Sequence, residues 1–346
     1  MTKRVKRPTM ADIAARAGVG IATVDRVLTG RRKVREENAR RVFEAAAALD
    51  YHATPVIRYR PDRDAPRATF GFVLPKKNQE FYRDLSNALR TEIEDIRGLR
   101  GTAIIRYAET QDPAEYAELL GEMTGTADVV GASAVNHPLV ARAVEALACA
   151  EIPVFAMLND FAPGARRNFI GLDNYRAGRQ AAWMLANVIH EPGTIAVLVG
   201  GNLWQAHQLR ENGLRSYFRE HAPEFRLRDA VLNLETRHIT YAMVQDFVAS
   251  QPDLRGIYIA GGGVEGAIAA LRKSGRARRI RLVVHPLTGA TRTAVTDGVV
   301  TMVIGTPVAA LARSVVLEMA ASVSGRSPGA SEQVLLSPEV LLPECP

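Results

Sequence analysis

The chain has few cysteines and no long apolar run. Two of its 346 residues are cysteines, Cys149 and Cys345, and no CxxC pair occurs, which argues against a disulfide framework and against a zinc site. No stretch reaches the roughly 18 consecutive apolar residues that a membrane-spanning helix needs. The basic start, MTKRVKRPTM, lacks the apolar core of a secretory signal. We therefore expect a cytoplasmic protein with no metal, no cofactor and no membrane partner.

Sequence motifs of common enzymes are also missing. The chain contains no G-x-S-x-G, no GxxxxGK[ST] and no HExxH, and its seven histidines are scattered. A G-x-G-x-x-G pattern occurs at 261–266, but the next strand pattern ends in Val-Val-His at 283–285 without the acidic residue of a dinucleotide site. We therefore predict that the protein is not an enzyme.

The positive charge of the chain is concentrated at its N-terminus. Residues 1–60 hold 14 of the 44 Lys and Arg residues but only 6 of the 37 Asp and Glu residues, so the rest of the chain is nearly neutral. Clustered Lys and Arg bind phosphates by releasing counterions. The asymmetry favours a small polyanion-binding module joined to a neutral body. A solvated basic tail is the alternative.

Three segments in this region have the apolar spacing of short helices. The first, 9–18, begins with Thr9 as a plausible N-cap and ends at Gly18. The second, 21–30, follows a tight glycine turn, and the third covers 34–51. Three helices with a glycine turn between the first two predict a helix-turn-helix unit, whose second helix enters the DNA major groove.

The segment ADIAARAGVGIATVDRVLTG followed by VREENARRVFEAAAALDYHATP resembles the N-terminal domain of the LacI/GalR family of bacterial transcription regulators. The resemblance implies that Arg26 reads base edges, that Ile21 and Ala22 offer apolar contacts, and that Thr23 lies at phosphates, with Thr9 on the same surface. A guanidinium bound to guanine gives about 1–3 kcal/mol of discrimination. The alternative for Ile21 is packing against the first helix.

The sequence departs from the family at positions that usually carry serine, which are Gly20, Asp25 and Arg35 here. Two phosphate-binding hydroxyls are therefore absent, and Asp25 repels phosphate. We expect Arg31 and Lys33 to compensate from the following loop.

The segment at 54–61, where the family has a hinge helix, departs further. Arg60 stands where the family carries a leucine that wedges into the minor groove. Either Ile57 or Tyr59 replaces that wedge, or Arg58 and Arg60 enter a narrow groove electrostatically.

A polar linker at 61–68 precedes a body in which apolar runs of strand length alternate with amphipathic segments. The predicted strands are 70–74, 102–107, 128–133, 152–157, 168–172, 194–200, 226–232, 256–260, 280–285, 300–305 and 333–336. The predicted helices are 79–97, 136–150, 174–190, 205–220, 237–250, 263–274 and 306–323. Such alternation predicts parallel sheets covered by helices, and the run is too long for one sheet.

The predicted fold class is α/β, with an all-α helix-turn-helix domain at 1–60 and two doubly wound parallel sheets at 69–346. The body resembles the type I periplasmic sugar-binding fold, which serves as the effector domain of the LacI/GalR family. Ligands of such sheets bind outside the carboxyl ends of the strands, so two facing lobes form a cleft. The resemblance implies a first lobe of about 69–168 plus 288–306 and a second of about 169–287 plus 307–346.

Polar and aromatic side chains that follow the strands are the candidate effector contacts. Aromatic rings fit the apolar faces of a sugar, amides bind its hydroxyls, and the backbone amides of the glycine loop favour an anionic or accepting group. The candidates are Asn78, Phe81, Tyr82, Asn136, Asn159, Asp160, Asp173, Trp204, Gln208, Arg210, Gly262 and His285. Structural alternatives remain for four of them: core packing for Phe81 and Tyr82, a helix N-cap for Asp173, and a hydrogen-bonded core position for His285.

Together these features predict a ligand-responsive, sequence-specific transcription regulator, a repressor of carbohydrate uptake or catabolism genes. Its expected partners are double-stranded operator DNA, a sugar, polyol or sugar acid, and a second copy of the chain, because one recognition helix reads too few bases alone. A tetramer is a further possibility, and the expected location is the nucleoid. The alternatives are a cytoplasmic sugar-binding protein derived from a transport receptor and a nonspecific DNA-binding protein.

Overall fold

The computed structural model of the protein describes residues 8–29, 34–49, 51, 65–325 and 333–344. The chain divides into an N-terminal unit, residues 1–63, and a C-terminal unit, residues 64–346, at a point inside the predicted linker. Four of the predicted DNA contacts and both candidate wedges lie outside the described residues: Arg31, Lys33, Arg58, Arg60, Ile57 and Tyr59.

The N-terminal unit contains helices α1 (Met10–Ala17), α2 (Ile21–Thr29) and α3 (Glu36–Ala48). Gly18 ends α1 in the left-handed conformation (φ 64°), and its N–H donates to the carbonyl of Ala14. Glycine adopts this conformation without steric cost, so the chain turns directly into α2. Apolar residues from all three helices form one small core: Ile13, Ala14, Ala17, Val24, Val42, Ala45 and Ala46.

The first turn of α1 is closed by a reciprocal cap. The N–H of Asp12 donates to the Thr9 hydroxyl, and the N–H of Thr9 donates to the Asp12 carboxylate at 2.7 Å. Thr9→Ala removes one of the two hydrogen bonds of this cap, so we expect α1 to lose about 1 kcal/mol of stability. Faster hydrogen exchange at the Ile13 amide measures the loss, and Thr9→Ser is the control that keeps the hydroxyl. Equal exchange in the alanine and serine variants would contradict the assignment.

The C-terminal unit consists of two lobes, each built on one sheet. The first lobe contains β1 (Arg67–Pro75), α4 (Glu80–Glu94), β2 (Arg100–Ala108), α5 (Pro113–Gly121), β3 (Val129–Ala132), α6 (Pro138–Cys149), β4 (Val154–Met157), β5 (Asn168–Leu172), α12 (Val308–Val323) and β12 (Gln333–Leu336). The second contains α7 (Asn174–Val188), β6 (Thr194–Val199), α8 (Gln205–His221), β7 (Arg226–Leu227), β8 (Val231–Leu232), α9 (Arg237–Ser250), β9 (Leu254–Ile259), α10 (Val264–Ser274), β10 (Arg281–Val284), α11 (Gly289–Thr296), β11 (Met302–Gly305) and β13 (Glu339–Leu341).

The strand order in the first sheet is β12-β5-β4-β3-β1-β2, and all of these strands are parallel. In the second sheet the order is β13-β11-β10-β9-β6-β7, with β8 also pairing with β6. Only β13, at the edge of this sheet, runs antiparallel to its neighbour β11 in the part of the chain that the structure describes. Central strands such as β3 and β11 are buried along their whole length, as expected for sheets covered on both faces.

Two of the predicted lobe boundaries are wrong. Strand β11 and helix α11 belong to the second lobe, not the first, because β11 pairs with β10 and α11 packs on α10. Helix α12 and strand β12 belong to the first lobe, because α12 packs on α4 and β12 pairs with β5. Within the described residues, the order of the strands therefore requires three crossings between the lobes, after β5, after β11 and after β12.

Smaller differences concern short elements. The predicted strand 226–232 is two separate two-residue strands, β7 and β8, and the sequence patterns did not predict α5, α11 or β13.

Helices α7 and α8 of the second lobe approach each other at backbone contact. A Cβ atom on Gly178 of α7 would lie 1.9 Å from the carbonyl oxygen of Arg210 in α8. A Cβ atom on Gly213 of α8 would lie 2.0 Å from the carbonyl oxygen of Tyr175. Only glycine fits at such distances, so these two positions fix where α8 lies on the lobe.

Candidate functional site

Helix α2 presents an exposed face on the N-terminal unit. Ile21 is 53% exposed, so it does not pack against α1. Ala22, Asp25 and Arg26 are also exposed, and Thr23 is half-buried. Val24 of the same helix is fully buried in the small core. The residues predicted to read bases are therefore free to contact a ligand from one face of one helix.

A cavity of about 80 Å³, the inner cavity, lies between the two lobes at the carboxyl ends of their strands. It is lined by Gln79, Phe81, Tyr82, Ser133, Leu158, Asn159, Trp204, Ala206, His207, Arg210, Glu235, Gly261, Gly262, His285, Pro286, Ile304 and Thr306. Seven predicted contacts are among them: Phe81, Tyr82, Asn159, Trp204, Arg210, Gly262 and His285. This volume holds several water molecules or one small polar compound.

Five predicted contacts lie elsewhere. Asp160 pairs with Arg166, whose Nη2 lies 2.8 Å from its Oδ2. Asp173 is the N-cap of α7 and accepts from the N–H of Arg176. Gln208 is exposed and donates to the carbonyl of Asn202. The other two are Asn136, whose side chain is exposed, and Asn78, which lines a neighbouring chamber.

That neighbouring space, the outer chamber, has a volume of about 370 Å³. It is lined by Asn78, Gln79, Glu80, Phe81, Arg83, Glu235, Arg237, Gly262, Gly263, Val264, Glu265, Pro286 and Thr288. Five residues line both spaces: Gln79, Phe81, Glu235, Gly262 and Pro286. The two cavities therefore adjoin across these side chains.

The aromatic residues of the inner cavity have double roles. The rings of Phe81 and Tyr82 meet edge to face, with centroids 5.3 Å apart. Phe81 also packs against the core of the first lobe, so the structural and the lining interpretations both apply to it. Trp204, which precedes α8 of the second lobe, is 4% exposed and lies within a core cluster of the first lobe beside Tyr116.

Asn159 and Arg210 organise the walls of the cavity through hydrogen bonds. Asn159 donates to the carbonyl of Ala134 at 2.6 Å and accepts from the N–H of Ala206 at 2.9 Å, which joins the two lobes. Arg210 is 9% exposed and donates to the side chain of Asn174 and to the carbonyl of Ala260. Both side chains therefore use part of their hydrogen-bonding capacity within the protein, and the rest remains available to a ligand.

His285 is a buried, hydrogen-bonded histidine that also lines the cavity. Its Nε2 lies 2.9 Å from the hydroxyl of Tyr258, and it is 3% exposed. Burial holds the pKa of His285 well below its ordinary value, and the nearby charge of Arg210 acts in the same direction. The imidazole is therefore neutral at physiological pH.

His207 is held in one tautomer. Its Nδ1 accepts from the N–H of Gly200 at 3.2 Å, so the proton of the neutral ring is on Nε2, 3.8 Å from a carboxylate oxygen of Glu235. Burial lowers the pKa of His207 to about 4, although Glu235 opposes this shift. His207 therefore presents a neutral N–H donor to the cavity.

Glu235 is a cavity residue that the sequence patterns did not predict. Its Oε1 accepts from the N–H of Gly262 at 3.1 Å, and its Oε2 lies 3.3 Å from Nζ of Lys76 on the first lobe. Burial raises the pKa of Glu235, but His207, Lys76 and the Gly262 N–H outweigh it, so the pKa is below its ordinary value. Its position in the sequence could have indicated it, because Glu235 follows strand β8 in the same way that the predicted contacts follow their strands.

Within the described ranges, no group of three or more His, Cys, Asp and Glu side chains is arranged to hold a metal ion. Among the helices of the described segments, none combines the length and the apolar character that crossing a bilayer requires.

The two units of the chain match two different families of known proteins. Residues 9–54 match the lacI family of bacterial regulatory proteins, and residues 70–327 match the periplasmic binding protein domain. The chain is similar to the HTH-type transcriptional regulator DegA of Bacillus subtilis (strain 168), with 22% identity over 217 residues, 62% of this chain and 61% of DegA. It is also similar to the ribose operon repressor of the same organism, with 29% identity over 140 residues, 38% of this chain and 42% of the repressor. Both matches cover less than two thirds of the relative.

Among solved structures, an ABC transporter solute binding protein from Agrobacterium vitis, bound with α-D-tagatopyranose, has the same fold. The TM-score is 0.74 at 18% identity, over 80% of this chain and 95% of that one. The helix-turn-helix match and the two-lobed match together account for most of the described residues. The chain belongs to the periplasmic binding protein domain family, which matches residues 70–327, and its N-terminal residues 9–54 match the lacI family of bacterial regulatory proteins.

Proposed function

We propose that this protein is a ligand-responsive transcription regulator that represses carbohydrate uptake or catabolism genes. It binds operator DNA through α2 and a small polar effector, a sugar, polyol or sugar acid, in the inner cavity. It acts as a homodimer or tetramer at the nucleoid and catalyses no reaction. The observation that carries the proposal is the presence on one chain of an exposed recognition-type helix and a polar cavity between two lobes.

The DNA-binding part rests on the exposed face of α2. Arg26 is exposed, and the neighbouring Ile21 is a large apolar side chain that remains 53% exposed. An apolar side chain in that position suits contact with a thymine methyl group, and the guanidinium suits guanine. Two-fold symmetry doubles the number of bases read, which is why we propose a dimer on a pseudo-palindromic site.

The effector part rests on the composition of the inner cavity. Rings from Phe81, Tyr82 and Trp204 line it together with the polar groups of His207, Arg210 and Glu235. A few placed polar groups among aromatic side chains are typical of sites for small polar ligands. The ribose operon repressor is named for a sugar operon, and the solute binding protein of similar fold holds a sugar. Binding at the two sites is coupled reciprocally, so operator DNA changes effector affinity by the factor by which effector changes DNA affinity.

A gel shift tests the proposal. The purified full chain is mixed with the DNA that flanks its own gene, with excess competitor DNA, alone and with each of a panel of sugars, polyols and sugar acids. We expect a discrete complex that resists competitor and that one compound weakens or strengthens. Binding that competitor removes completely would instead favour a nonspecific DNA-binding protein, and effector binding without DNA binding a sugar-binding protein.

Arg26→Ala provides the test of the recognition helix. We expect it to lower operator affinity by about 1–3 kcal/mol for each head that contacts guanine and to reduce selectivity over competitor DNA. Effector affinity should not change, which calorimetry of the variant with the active compound checks. Arg16→Ala is the matched control, because Arg16 is an exposed arginine on α1. Unchanged selectivity in the Arg26 variant would contradict the assignment.

A further inference from the structure

Three residues with left-handed backbone meet at one contact between the lobes. Lys76, Leu234 and Glu235 have φ angles of 47°, 50° and 52°, and they are three of the six non-glycine residues with positive φ in the described chain. Lys76 Nζ donates to the carbonyl oxygen of Leu234 at 3.1 Å and to the Glu235 carboxylate at 3.3 Å. Such conformations are costly, persist only where the surrounding structure holds them in place, and cluster at functional sites. Their meeting at one contact points to a functional contact.

The charges of this contact are largely removed from water. The side chain of Glu235 is 8% exposed and that of Lys76 is 19% exposed. A pair buried to this degree is screened much less by salt than a surface pair. Removing either charge leaves the other buried without its partner, which strongly disfavours the arrangement that buries it. Because Lys76 follows β1 and Glu235 follows β8, the arrangement at stake is the closed cleft.

The contact also lies where the two cavities adjoin. Glu235 lines both the inner cavity and the outer chamber, and its second oxygen is held by the N–H of Gly262, which lines both as well. A compound that passes from the outer chamber to the inner cavity therefore meets Glu235. The contact therefore lies between the two cavities as well as between the two lobes.

We propose that Lys76 and Glu235 form an ionic latch that holds the two lobes closed over the inner cavity. Opening of this pair precedes entry of the effector, and Glu235 is the side chain that the entering compound meets. The part about the effector rests on the proposed function, whereas the latch is a property of the chain alone.

The two tryptophans of the sequence make the latch measurable. Trp183 is 52% exposed, and Trp204 is 4% exposed because it lies within a core cluster of the other lobe. In a Trp183→Phe background, fluorescence comes from Trp204 alone, and separation of the lobes exposes that ring. Acrylamide quenching of the full chain, without effector and without DNA, then reports how often the cleft opens.

Lys76→Gln in this background should raise the ratio of open to closed molecules by at least about tenfold, seen as stronger quenching. Glu235→Gln should have the same effect, and it keeps a side-chain oxygen for the Gly262 N–H. The double variant should be quenched no more than the single variants, because both remove the same contact. Lys77→Gln is the matched control, since Lys77 is the exposed neighbouring lysine and its Nζ lies 6.0 Å from the Tyr107 ring.

Quenching in the Lys76 and Glu235 variants equal to that of the Trp183→Phe parent would overturn the latch. So would an equal increase in the Lys77 control, because the effect would then not depend on the pair. Circular dichroism of each variant checks that quenching is compared between folded proteins. If the Lys76 variant does not fold, the quenching of Glu235→Gln alone tests the latch. The gel shift can fail while the quenching result stands, so the latch and the proposed function are tested separately.

Discussion

Gly178→Ala is expected to lower the free energy of unfolding of the C-terminal unit by about 3 kcal/mol or more. The added Cβ would lie 1.9 Å from the carbonyl oxygen of Arg210, so α7 and α8 must move apart along their contact. Overpacking of this kind typically costs about 1–3 kcal/mol, and here the neighbour is backbone, which cannot turn aside as a side chain can. Urea unfolding followed by circular dichroism measures the loss.

The control for this variant is another glycine in a helix. Gly121 is the last residue of α5, and a Cβ atom there meets nothing within 4 Å. Gly121→Ala should therefore be neutral or stabilising, by up to about 1 kcal/mol, since alanine favours the helix. Equal stability of the two variants would show that the close approach of α7 and α8 is not required. Because α8 carries His207 and Arg210, Gly178→Ala should also weaken effector binding.

Acidification is expected to destabilise the protein through His207. The pKa of this side chain is about 4 in the folded state, against about 6.5 for an exposed histidine. Between these two values the unfolded chain binds a proton that the folded chain does not, so the free energy of unfolding falls as the pH falls. Integrated over the window, the loss is about 3 kcal/mol. The buried His285 contributes in the same direction, because its pKa is also lowered.

Urea unfolding at a series of pH values from about 7 to about 4 measures this dependence. His207→Gln, which cannot take up the proton, should show a clearly flatter dependence than the wild type. His238→Gln is the matched control, because His238 is an exposed histidine of the same lobe, and it should behave as the wild type does. A His207 variant with the full pH dependence of the wild type would contradict the assignment.

Much of the fold is predictable from the sequence because its signals are local and strong. The central strands are buried on both faces, so they appear as short continuous apolar runs, and the predicted strands 70–74 and 168–172 lie within β1 and on β5. The lobe boundaries were predicted wrongly because pairing partners are not local information. Nothing in the residues of α12 or β12 specifies which of two similar sheets they join.

The cavity was predicted in part, for a related reason. The rule that ligands bind after the strands led to Trp204 and His285, and both side chains line the inner cavity. It missed Glu235, because the strand before it has two residues and merges with β7 in the sequence pattern. It also included Asp173 and Gln208, whose side chains bond to their own loop or helix. Polar residues after strands serve both purposes, and sequence alone does not separate them.

The late position of β12 and β13 in the sequence affects how the two sheets form during synthesis. Strand β12 completes the edge of the first sheet beside β5, and β13 completes the edge of the second beside β11. During synthesis, neither sheet can therefore add its last edge strand until residues 333–341 have been made. A chain halted before this point leaves β5 and β11, which are buried in the complete sheets, as exposed edge strands, and exposed edge strands favour aggregation. Premature termination late in the message should thus yield insoluble protein rather than a functional fragment.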